Sequence, residues 1–363
     1  MAFLSIPNVR VSGISACVPS QEEPCSSLSL FDDEESFLFS KTTGVVSRRV
    51  APRNICSSDL CLKAADVLLA NLKWERLVDC LVFVTQTPDY QIPSTSPILQ
   101  KRLNLSDDCM TLDISLGCSG YVYGLSVLAS LMSHGHLKKG LLLSGDTLFN
   151  SIERSSPDSC RSKTCSQNDK STYPLFGDAG TATALEYIEG TECISFNLKS
   201  DGSGSDVIKI RDGGYRNSVA VSSFTDKEVG IGISRNNLQL QLEGMDVFTF
   251  GISKAPSCIN ELTKFFNLNP DQIDYYTFHQ ANKFMNEKIR KKLKIPEDKV
   301  PSSIANFGNT SCASIPLTMV TEIKEDLKGK SLSHIICGFG VGLSWGSAYF
   351  KTDHIVCPDL IEI

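Results

Sequence analysis

The feature of this sequence that most restricts its fold is an alternation of short apolar runs with longer amphipathic segments between residues 60 and 145. The runs at 80–85, 110–115 and 140–145 are apolar almost throughout, which is typical of strands buried on both faces. The segments around them have the residue spacing of helices, and they cover 60–72, 94–103 and 119–134. This order predicts a mostly parallel sheet covered by helices on both faces.

The second half of the chain repeats this kind of pattern. It predicts a long helix interrupted near Pro256 (245–266), a short strand (275–278), a basic amphipathic helix (281–293), a further helix (314–327) and a terminal hairpin (334–339 with 343–351). Strands are also expected at 1–14 and 181–187. Two similar halves, 1–188 and 189–363, indicate an internally duplicated α/β fold in five layers, α/β/α/β/α. The identity between the halves is too weak to prove the duplication.

Composition narrows the class of protein. Hydrophobic residues make up 41% of the 363 residues and charged residues 21%, which are ordinary values for a globular protein. A net charge of −6 argues against a general nucleic-acid binder, and no apolar run reaches the ~18 residues of a membrane span. The N-terminus is interrupted by Pro7 and Arg10, which favours a first strand over a signal peptide. The polar stretch 150–172 predicts a long surface loop.

The 14 cysteines raise the question of a metal site or of disulfides. No Cys-x-x-Cys pair occurs, and the closest pairs, Cys56 with Cys61 and Cys160 with Cys165, have no matching His or Cys cluster. Many of the others lie in apolar runs, where cysteine behaves as a small buried hydrophobe. We therefore expect no metal and a reducing, cytoplasmic setting.

The first chemically suggestive motif is Leu-Asp-Ile-Ser-Leu-Gly-Cys-Ser-Gly at 112–120. A buried strand leads into Cys118, and a helix follows. The unpaired N–H groups and the dipole at the start of a helix favour a thiolate, so Cys118 is a candidate nucleophile. The glycines on either side permit a tight turn and a close approach of substrate. A buried structural cysteine at a strand–helix junction is the alternative.

Three further motifs carry polar groups or glycines at the ends of predicted elements. In Tyr-Thr-Phe-His-Gln-Ala-Asn (276–282), His279 follows a buried strand, where ligand-binding groups of α/β sheets lie, although a capping or core histidine is the alternative. In Asn-Phe-Gly-Asn-Thr-Ser-Cys-Ala-Ser (306–314), Asn309 can project into a crevice or simply cap a helix. The glycine-rich turn 337–342 offers backbone N–H groups for an oxyanion, or is a plain hairpin turn.

Taken together, these motifs resemble β-ketoacyl-acyl carrier protein synthase III, the initiating condensing enzyme of type II fatty acid synthesis. The resemblance extends from Lys-Thr-Thr-Gly-Val-Val-Ser-Arg-Arg (41–49) through Phe-Gly-Asp-Ala-Gly (176–180) to Trp-Gly-Ser-Ala (345–348). It implies a thiolase-like fold with Cys118 as nucleophile and His279 and Asn309 beside it. It further implies Phe339 beside the reacting carboxylate, and oxyanion donors at the N–H groups of Cys118 and Val341.

The resemblance also implies a reaction and partners. An acyl thioester acylates Cys118, malonyl-acyl carrier protein then loses CO2, and its enolate attacks the acyl-cysteine. His279→Ala and Asn309→Ala are expected to spare much of the acylation but to lose decarboxylation. No cofactor is expected beyond the acyl thioesters of coenzyme A or carrier protein. A homodimer is expected, with Ile92 reaching into the partner's acyl pocket. The basic helix would dock acyl carrier protein, through Lys283, Lys288, Arg290, Lys291 and Lys292, and a solvated helix face is the alternative.

The sequence departs from the family at the expected coenzyme A tunnel. Leu38 and Thr42 stand where the family has a Trp and an Arg that hold the adenine end of coenzyme A, and a further family Arg before Phe-Gly-Asp is missing. The resemblance therefore predicts a carrier-bound donor or a different grip on coenzyme A, and a specialised pathway is open beside primary fatty acid initiation.

Four rival functions are open at this level. A non-decarboxylating acyltransferase that forms an ester or amide is the runner-up. A hydroxymethylglutaryl-coenzyme A synthase-like enzyme would want a Glu in 86–91, where only Asp89 is acidic, and a biosynthetic thiolase would need Cys337 as a second cysteine. A non-catalytic partner subunit has no need to keep Cys118, His279 and Asn309 together.

Overall fold

The computed structural model describes residues 2–148, 169–230 and 233–363. The strands in these residues are β1 (Ala2–Ile6), β2 (Val9–Val18), β3 (Glu22–Pro24), β4 (Ser47–Arg49), β5 (Cys80–Val84), β6 (Met110–Ile114), β7 (Lys139–Asp146), β8 (Ala179–Tyr187), β9 (Ile194–Ser200), β10 (Ile208–Lys209), β11 (Lys227–Gly230), β12 (Ile233–Arg235), β13 (Gln241–Leu242), β14 (Tyr275–Phe278), β15 (Ser331–Gly340), β16 (Ser344–Asp353) and β17 (Ile361–Glu362).

The α-helices in the same residues are α1 (Asp33–Thr43), α2 (Ser57–Leu72), α3 (Thr95–Arg102), α4 (Gly120–Met132), α5 (Gly244–Phe265), α6 (Lys283–Leu293), α7 (Ile304–Phe307), α8 (Ser314–Glu322) and α9 (Lys324–Gly329). Short 3-10 helices cover Cys25–Ser27, Gly202–Gly204, Val221–Phe224, Pro270–Gln272, Glu297–Lys299 and Ser311–Ala313. The predicted alternation of strands and helices in the first half is confirmed, with ends that shift by up to three residues.

Two large sheets form the frame of the molecule. The first has the order β17-β2-β8-β7-β5-β6, and the second has the order β1-β9-β16-β15-β14. In the first sheet β5 pairs in parallel with both β6 and β7, as the βαβ pattern predicts, while β8 runs antiparallel to its two neighbours. In the second sheet only β14 and β15 pair in parallel.

The helices lie in three layers around these sheets. Helices α4 and α8 lie between the sheets and contact strands of both, α2 and α3 cover the outer face of the first sheet, and α5 covers the outer face of the second with α6 beside it. The middle layer is apolar on all sides: in α4, Val122, Leu125 and Leu128 are fully buried. The five-layered α/β/α/β/α arrangement expected from the sequence is thus present.

The two ends of the chain cross between the halves. Strand β1 pairs with β9 in the second sheet, and β17 pairs with β2 in the first. Residues before 188 therefore form the first sheet and residues after it form the second sheet, except for β1 and β17. The prediction of one strand over 1–14 was wrong for the same reason: the chain turns at Pro7 and Asn8, where Asn8 has a φ of 66°, and enters a different sheet.

Two helix predictions in the second half were also wrong. Helix α5 runs without a break through Pro256. Proline removes the N–H that would bond the carbonyl of Ile252, and the ammonium of Lys292 donates to that carbonyl instead, at 3.3 Å. Conversely, the single helix expected over 314–327 is two helices, because Ile323 leaves the helical conformation with φ −130° and ψ 20°.

The predicted surface loop at 150–172 lies outside the described residues except for its last four positions. Of these four, Ser171 is exposed as expected, whereas Asp169 and Thr172 are buried, and Asp169 forms an ion pair with Arg235 at 2.6 Å. The pairing offsets the cost of burying the carboxylate.

Two further findings concern the cysteines and the membrane. The 12 cysteines in the described ranges are free thiols. Among the helices of those ranges, none has the length and apolar character needed to cross a bilayer.

Candidate active site

The chemistry of Cys118 begins with its place in the turn between β6 and α4. The turn is closed by the N–H of Gly120, which donates to the carbonyl of Gly117 at 2.6 Å, and α4 then enters the apolar layer between the sheets. Strand β15 presses against this turn. A Cβ on Gly340 would lie 2.6 Å from the Cβ of Cys118 and 2.9 Å from its sulfur, so only glycine fits at 340.

Cys118 lies on the wall of a cavity of about 1380 Å³. The residue is half-buried, and its remaining exposed surface faces this cavity. Burial raises the pKa of the thiol to about 11, and the carboxylate of Asp146 adds to the rise. The prediction that the helix terminus would favour a thiolate was therefore wrong, because desolvation outweighs the nearby hydrogen-bond donors.

Three hydrogen-bond donors near the Cys118 sulfur act in the opposite direction to burial. The hydroxyl of Ser311 and the N–H groups of Val341 and of Cys118 itself each favour the thiolate and lower its pKa. Two backbone N–H groups thus converge on the reacting sulfur, one from the turn before α4 and one from the turn after β15.

His279 follows β14 and lines the same cavity. Its Nδ1 lies 2.7 Å from the hydroxyl of Ser314, and its backbone carbonyl accepts a hydrogen bond from the side chain of Asn286 at 3.1 Å. Burial lowers the pKa of the imidazole to about 3, so the ring is neutral near pH 7. If the hydroxyl donates to Nδ1, the ring proton is on Nε2, and if it accepts from Nδ1, then Nε2 is the basic nitrogen.

Asn309 is held by hydrogen bonds on three sides. Its N–H donates to the carbonyl of Leu175 at 2.9 Å, its own carbonyl accepts from the N–H of Gly177 at 3.1 Å, and its Oδ1 accepts from the N–H of Ser311 at 3.0 Å. Since Oδ1 is occupied, the free group of the carboxamide is its NH₂. Asn309 lines the cavity, so this donor is available to a substrate oxygen.

Phe339 lies on β15, two residues before Val341, and is buried. Its ring meets the His279 ring edge to face, with 5.6 Å between centroids and an interplanar angle of 86°. The space in front of His279 is therefore bounded by an apolar ring. An anionic group there would lose hydration without gaining a cation.

The sequence motifs contain groups whose roles sequence reasoning missed. Ser311 and Ser314 lie in the stretch that supplies Asn309, but nothing in their pattern tells which hydroxyl meets His279. Asp146 at the end of β7 is fully buried and accepts hydrogen bonds from the hydroxyl of Thr85 at 2.9 Å and the N–H of Gln86 at 2.8 Å. Burial raises the pKa of this carboxyl. The sequence did contain a signal for Asp146, which is an acidic residue directly after the apolar run 140–145.

Comparison with known proteins identifies the family. The family profile described as 3-oxoacyl-[acyl-carrier-protein (ACP)] synthase III matches residues 112–202, and the profile of its C-terminal part matches residues 264–352. The chain is also 33% identical to a putative 3-oxoacyl-[acyl-carrier-protein] synthase 3 of Campylobacter jejuni, over 97% of this chain and 96% of that protein. This chain belongs to the 3-oxoacyl-[acyl-carrier-protein] synthase III family. It is accordingly a condensing transferase of the fatty acid biosynthesis type.

Solved structures of synthases from this family agree with the fold. The 3-oxoacyl-(acyl-carrier protein) synthase of Burkholderia xenovorans LB400 superimposes with a TM-score of 0.90 at 36% identity, covering 100% of this chain and 99% of that one. The synthase III of Pseudomonas aeruginosa PAO1 gives a TM-score of 0.80 at 27% identity, with coverage of 96% and 99%. The thiolase-like fold predicted from the sequence is therefore confirmed.

Leu38 and Thr42, two of the positions at which the sequence is expected to depart from its family, lie on helix α1. Thr42 lines the cavity, whereas Leu38 is exposed on the surface. Near them, Phe37 is also exposed. Neither Leu38 nor Thr42 supplies an indole to stack on or a guanidinium for a phosphate.

The remaining predicted residues of the synthase lie outside the catalytic centre. Ile92 is 78% exposed and does not line the cavity of its own chain. On α6, Lys283, Lys288, Lys291 and Lys292 are exposed. Arg290 differs from them, because its guanidinium pairs with Glu287 at 2.9 Å and donates to the carbonyl of Ile295 at 2.8 Å.

Proposed function

We propose that this synthase transfers an acyl group from a thioester to Cys118 and then performs a decarboxylative Claisen condensation with malonyl-acyl carrier protein. The observation that supports this most strongly is that Cys118, His279 and Asn309, from three distant stretches, line one cavity. The pathway would be fatty acid biosynthesis or a related one. No resident cofactor is needed, because the thioesters supply all the reacting groups.

The first step is acyl transfer. The Cys118 sulfur attacks the donor carbonyl as its proton passes to Nε2 of neutral His279, and the proton then leaves with the donor thiol. The oxyanion is held by the N–H groups of Cys118 and Val341. Proton transfer is concerted with the attack, because only ~10⁻⁴ of a thiol with a pKa near 11 is ionised at pH 7, and an imidazole with a pKa near 3 is too weak a base to form the free thiolate first.

The second step is condensation. The bond between the malonyl carboxylate and its Cα breaks, CO2 leaves, and the electron pair forms a thioester enolate. Before this step the neutral imidazole exchanges its proton through solvent, so that Nδ1 accepts from the hydroxyl of Ser314 and Nε2 carries the proton. Nε2–H of His279 and the NH₂ of Asn309 then donate to the enolate oxygen, and each preorganised donor can contribute ~2.7–4 kcal/mol. The enolate carbon attacks the acyl-cysteine, and Cys118 leaves as a thiolate that regains a proton from solvent. Phe339 favours loss of the carboxylate charge because its ring leaves that charge poorly solvated.

The same proposal covers partners and assembly. The exposed lysines of α6 begin directly after the cavity-lining residues Ala281 and Asn282, which suits docking of an acidic carrier protein at the cavity mouth. Arg290 contributes less to this surface because it is paired with Glu287. The exposed Ile92 suits a homodimer in which it enters the partner's acyl pocket, and the free thiols suit a reducing, cytoplasmic compartment.

The test separates the two steps. Acylation is measured as mass added at Cys118, and decarboxylation as CO2 released from malonyl-acyl carrier protein. Cys118→Ala should abolish acylation. Asn309→Ala should acylate within a few fold of the wild type and lose about 10²–10³ of CO2 release, as expected for the loss of one preorganised donor. Equal loss of both steps in Asn309→Ala would contradict the role given to this carboxamide.

A non-decarboxylating acyltransferase is the alternative function. It would use Cys118 and His279 but leave Asn309 without a purpose. Acyl-enzyme loaded at Cys118 and offered either malonyl-acyl carrier protein or a panel of alcohols and amines distinguishes the two functions. A carbon–carbon product supports condensation, and an ester or amide with no CO2 supports the alternative.

A further inference from the structure

Asp146 is a buried acid that the proposed reaction does not use. It ends β7 and is completely shielded from solvent. Asp169 is also buried and forms an ion pair with Arg235, whereas no Lys or Arg pairs with Asp146 in the part of the chain that the structure describes. Burial of a carboxylate without a cation is costly, so a neutral side chain would serve a purely structural role at a lower free-energy cost.

One carboxyl oxygen of Asp146 holds the segment that follows β5. This oxygen, Oδ1, accepts from the hydroxyl of Thr85 at 2.9 Å, from the N–H of Gln86 at 2.8 Å and from the hydroxyl of Thr87 at 3.2 Å. Gln86 and Thr87 line the cavity, but Asp146 is not part of the lining. The carboxyl therefore lies behind the cavity wall and fixes residues that form it.

The other oxygen, Oδ2, faces the segment that follows Asn309. It lies 3.4 Å from the Sγ of Cys312, whose S–H can donate either to it or to the carbonyl of Val84. The hydroxyl of Ser311 also hydrogen-bonds to this carboxyl group. Asp146 therefore joins two stretches of the active site, one from each half of the chain.

These two stretches enclose the turn that carries Cys118. A Cβ on Gly117, just before the nucleophile, would collide with the side chain of Gln86. A Cβ on Gly120, at the start of α4, would lie 3.5 Å from the Cβ of Cys312. Direct hydrogen-bond partners of the buried carboxyl therefore border the turn at both ends, which places the carboxyl close to the reacting sulfur.

Ser311 links the carboxyl to the reacting groups. Its hydroxyl hydrogen-bonds to both Asp146 and the sulfur of Cys118, and its N–H donates to Oδ1 of Asn309 at 3.0 Å. Its φ of 52° lies in the left-handed region, which serine seldom adopts. Such a conformation persists only where neighbouring contacts hold it, and Asp146 supplies one of these contacts.

We propose that Asp146 is a positioning residue with two effects: its hydrogen bonds hold Ser311 and hence Asn309 in place, and its negative charge keeps Cys118 a thiol between turnovers. Electrophiles and oxidants attack thiolates much faster than thiols. The resting nucleophile is therefore protected until an acyl donor and His279 act on it together. The first effect rests on the proposed condensation, and the second does not.

The titratable groups around the carboxyl leave its charge in force. They are the thiols of Cys61 on α2, Cys118 before α4 and Cys312 in the 3-10 helix after Asn309, and none of them can become a cation. His279 lines the same cavity and is neutral near pH 7.

The test replaces Asp146 by Asn in the full-length enzyme, which keeps the shape of the side chain and removes its charge. Alkylation of Cys118 by iodoacetamide is followed as peptide mass from pH 6 to pH 10. Removal of a nearby like charge lowers a pKa by about 1–3 units. Asp146→Asn should therefore alkylate at Cys118 about tenfold faster or more at pH 8. Cys61 and Cys312 should stay unmodified, which a loosened site would not allow.

The same variant should slow CO2 release from malonyl-acyl carrier protein by about tenfold or more, because a small displacement of a catalytic group has an effect of this size. A merely structural loss would not make Cys118 more reactive while its buried neighbours stay protected. Asp146→Ser, which also removes the charge, takes the place of Asp146→Asn if the latter does not fold.

The matched control is Asp79→Asn. Asp79 lies at the opposite end of β5 and β7, where its carboxyl accepts from the N–H groups of Lys138 and Lys139 at 2.7 and 2.9 Å. This variant makes the same chemical change far from Cys118 and should alter neither alkylation nor CO2 release.

Each outcome decides one part of the inference. If the folded Asp146→Asn enzyme alkylates at Cys118 no faster than the wild type, or if Asp79→Asn gives the same increase, the charge effect is wrong. If Asp146→Asn releases CO2 as fast as the wild type, the positioning effect is wrong. If the wild type releases no CO2, the proposed condensation is wrong, and alkylation still decides the charge effect.

Discussion

The replacement of His279 by Gln tests how the buried thiol of Cys118 is activated. Glutamine has a similar length and can hydrogen-bond, but it has no basic nitrogen. In the wild type, the pKa of Cys118 is near 11 and that of His279 is near 3, so the resting pair is thiol and neutral imidazole between about pH 4 and pH 10. Acylation by this pair should therefore vary little between pH 6 and pH 9.

The variant must react through thiolate that forms before the attack. With a pKa near 11, the thiolate fraction at pH 7 is ~10⁻⁴, which corresponds to about 5 kcal/mol at 1.36 kcal/mol per pH unit. Loss of a general base costs about 10²–10⁴ in rate. His279→Gln should therefore acylate about 10²–10⁴ times more slowly at pH 7. Its rate should rise about tenfold per pH unit, because below the pKa each unit multiplies the thiolate fraction by ten.

The assay is single-turnover acylation by a short acyl thioester, followed as mass at Cys118 from pH 6 to pH 9 at constant ionic strength. Thermal unfolding of the variant at each pH shows whether it remains folded. A folded His279→Gln enzyme with a flat pH profile, or with an undiminished rate at pH 7, would refute the reasoning. Either result would mean that Cys118 is already ionised at rest, as the sequence alone had suggested. From the sequence we expected His279→Ala to spare much of the acylation. From the structure we expect instead that loss of the imidazole slows acylation.

Two further predictions concern the turn at Cys118 and the basic helix. Gly340→Ala places a Cβ 2.6 Å from that of Cys118, so we expect unfolding free energy to fall by about 1–3 kcal/mol and acylation to slow. Gly329→Ala meets no atom within 4 Å and serves as the control in chemical denaturation. A double charge reversal, Lys288→Glu with Lys291→Glu, should raise KM for malonyl-acyl carrier protein several-fold at low salt, and less at high salt, while acylation by a small thioester is unchanged. An unchanged KM at low salt would remove this helix from the docking surface.

The sequence was sufficient for the repeating elements and for three candidate reacting groups that line one cavity. Strands β5 and β7 are buried, and such apolar runs have few other ways to be buried, so local composition predicted them correctly. Strand β6 was also found, but the prediction that it is buried on both faces was wrong, because β6 is the edge strand of the first sheet and Met110 is 43% exposed. Cys118, His279 and Asn309 were found because each lies in a short motif at the end of a strand or before a helix. These are local properties, and a local pattern is enough to show them.

Predictions failed where a partner from a distant part of the chain decides the outcome. Pro256 would interrupt an isolated helix, but Lys292 from α6 satisfies the carbonyl that the proline leaves free. The N-terminal apolar stretch looks like one strand, yet its two parts pair with different sheets. The residues around Pro256 do not reveal Lys292, and the residues around Pro7 do not reveal which strands pair with β1 and β2.

The sequence by itself determined which groups this protein brings to its chemistry, and the tertiary structure decided their protonation. A cysteine before a helix suggests a thiolate, because the helix terminus is the only electrostatic element visible in the local sequence. The folded chain withdraws that sulfur from water and places the carboxylate of Asp146 nearby, and both favour the neutral thiol. Desolvation depends on every atom that displaces water from a site, and those atoms come from both halves of the chain.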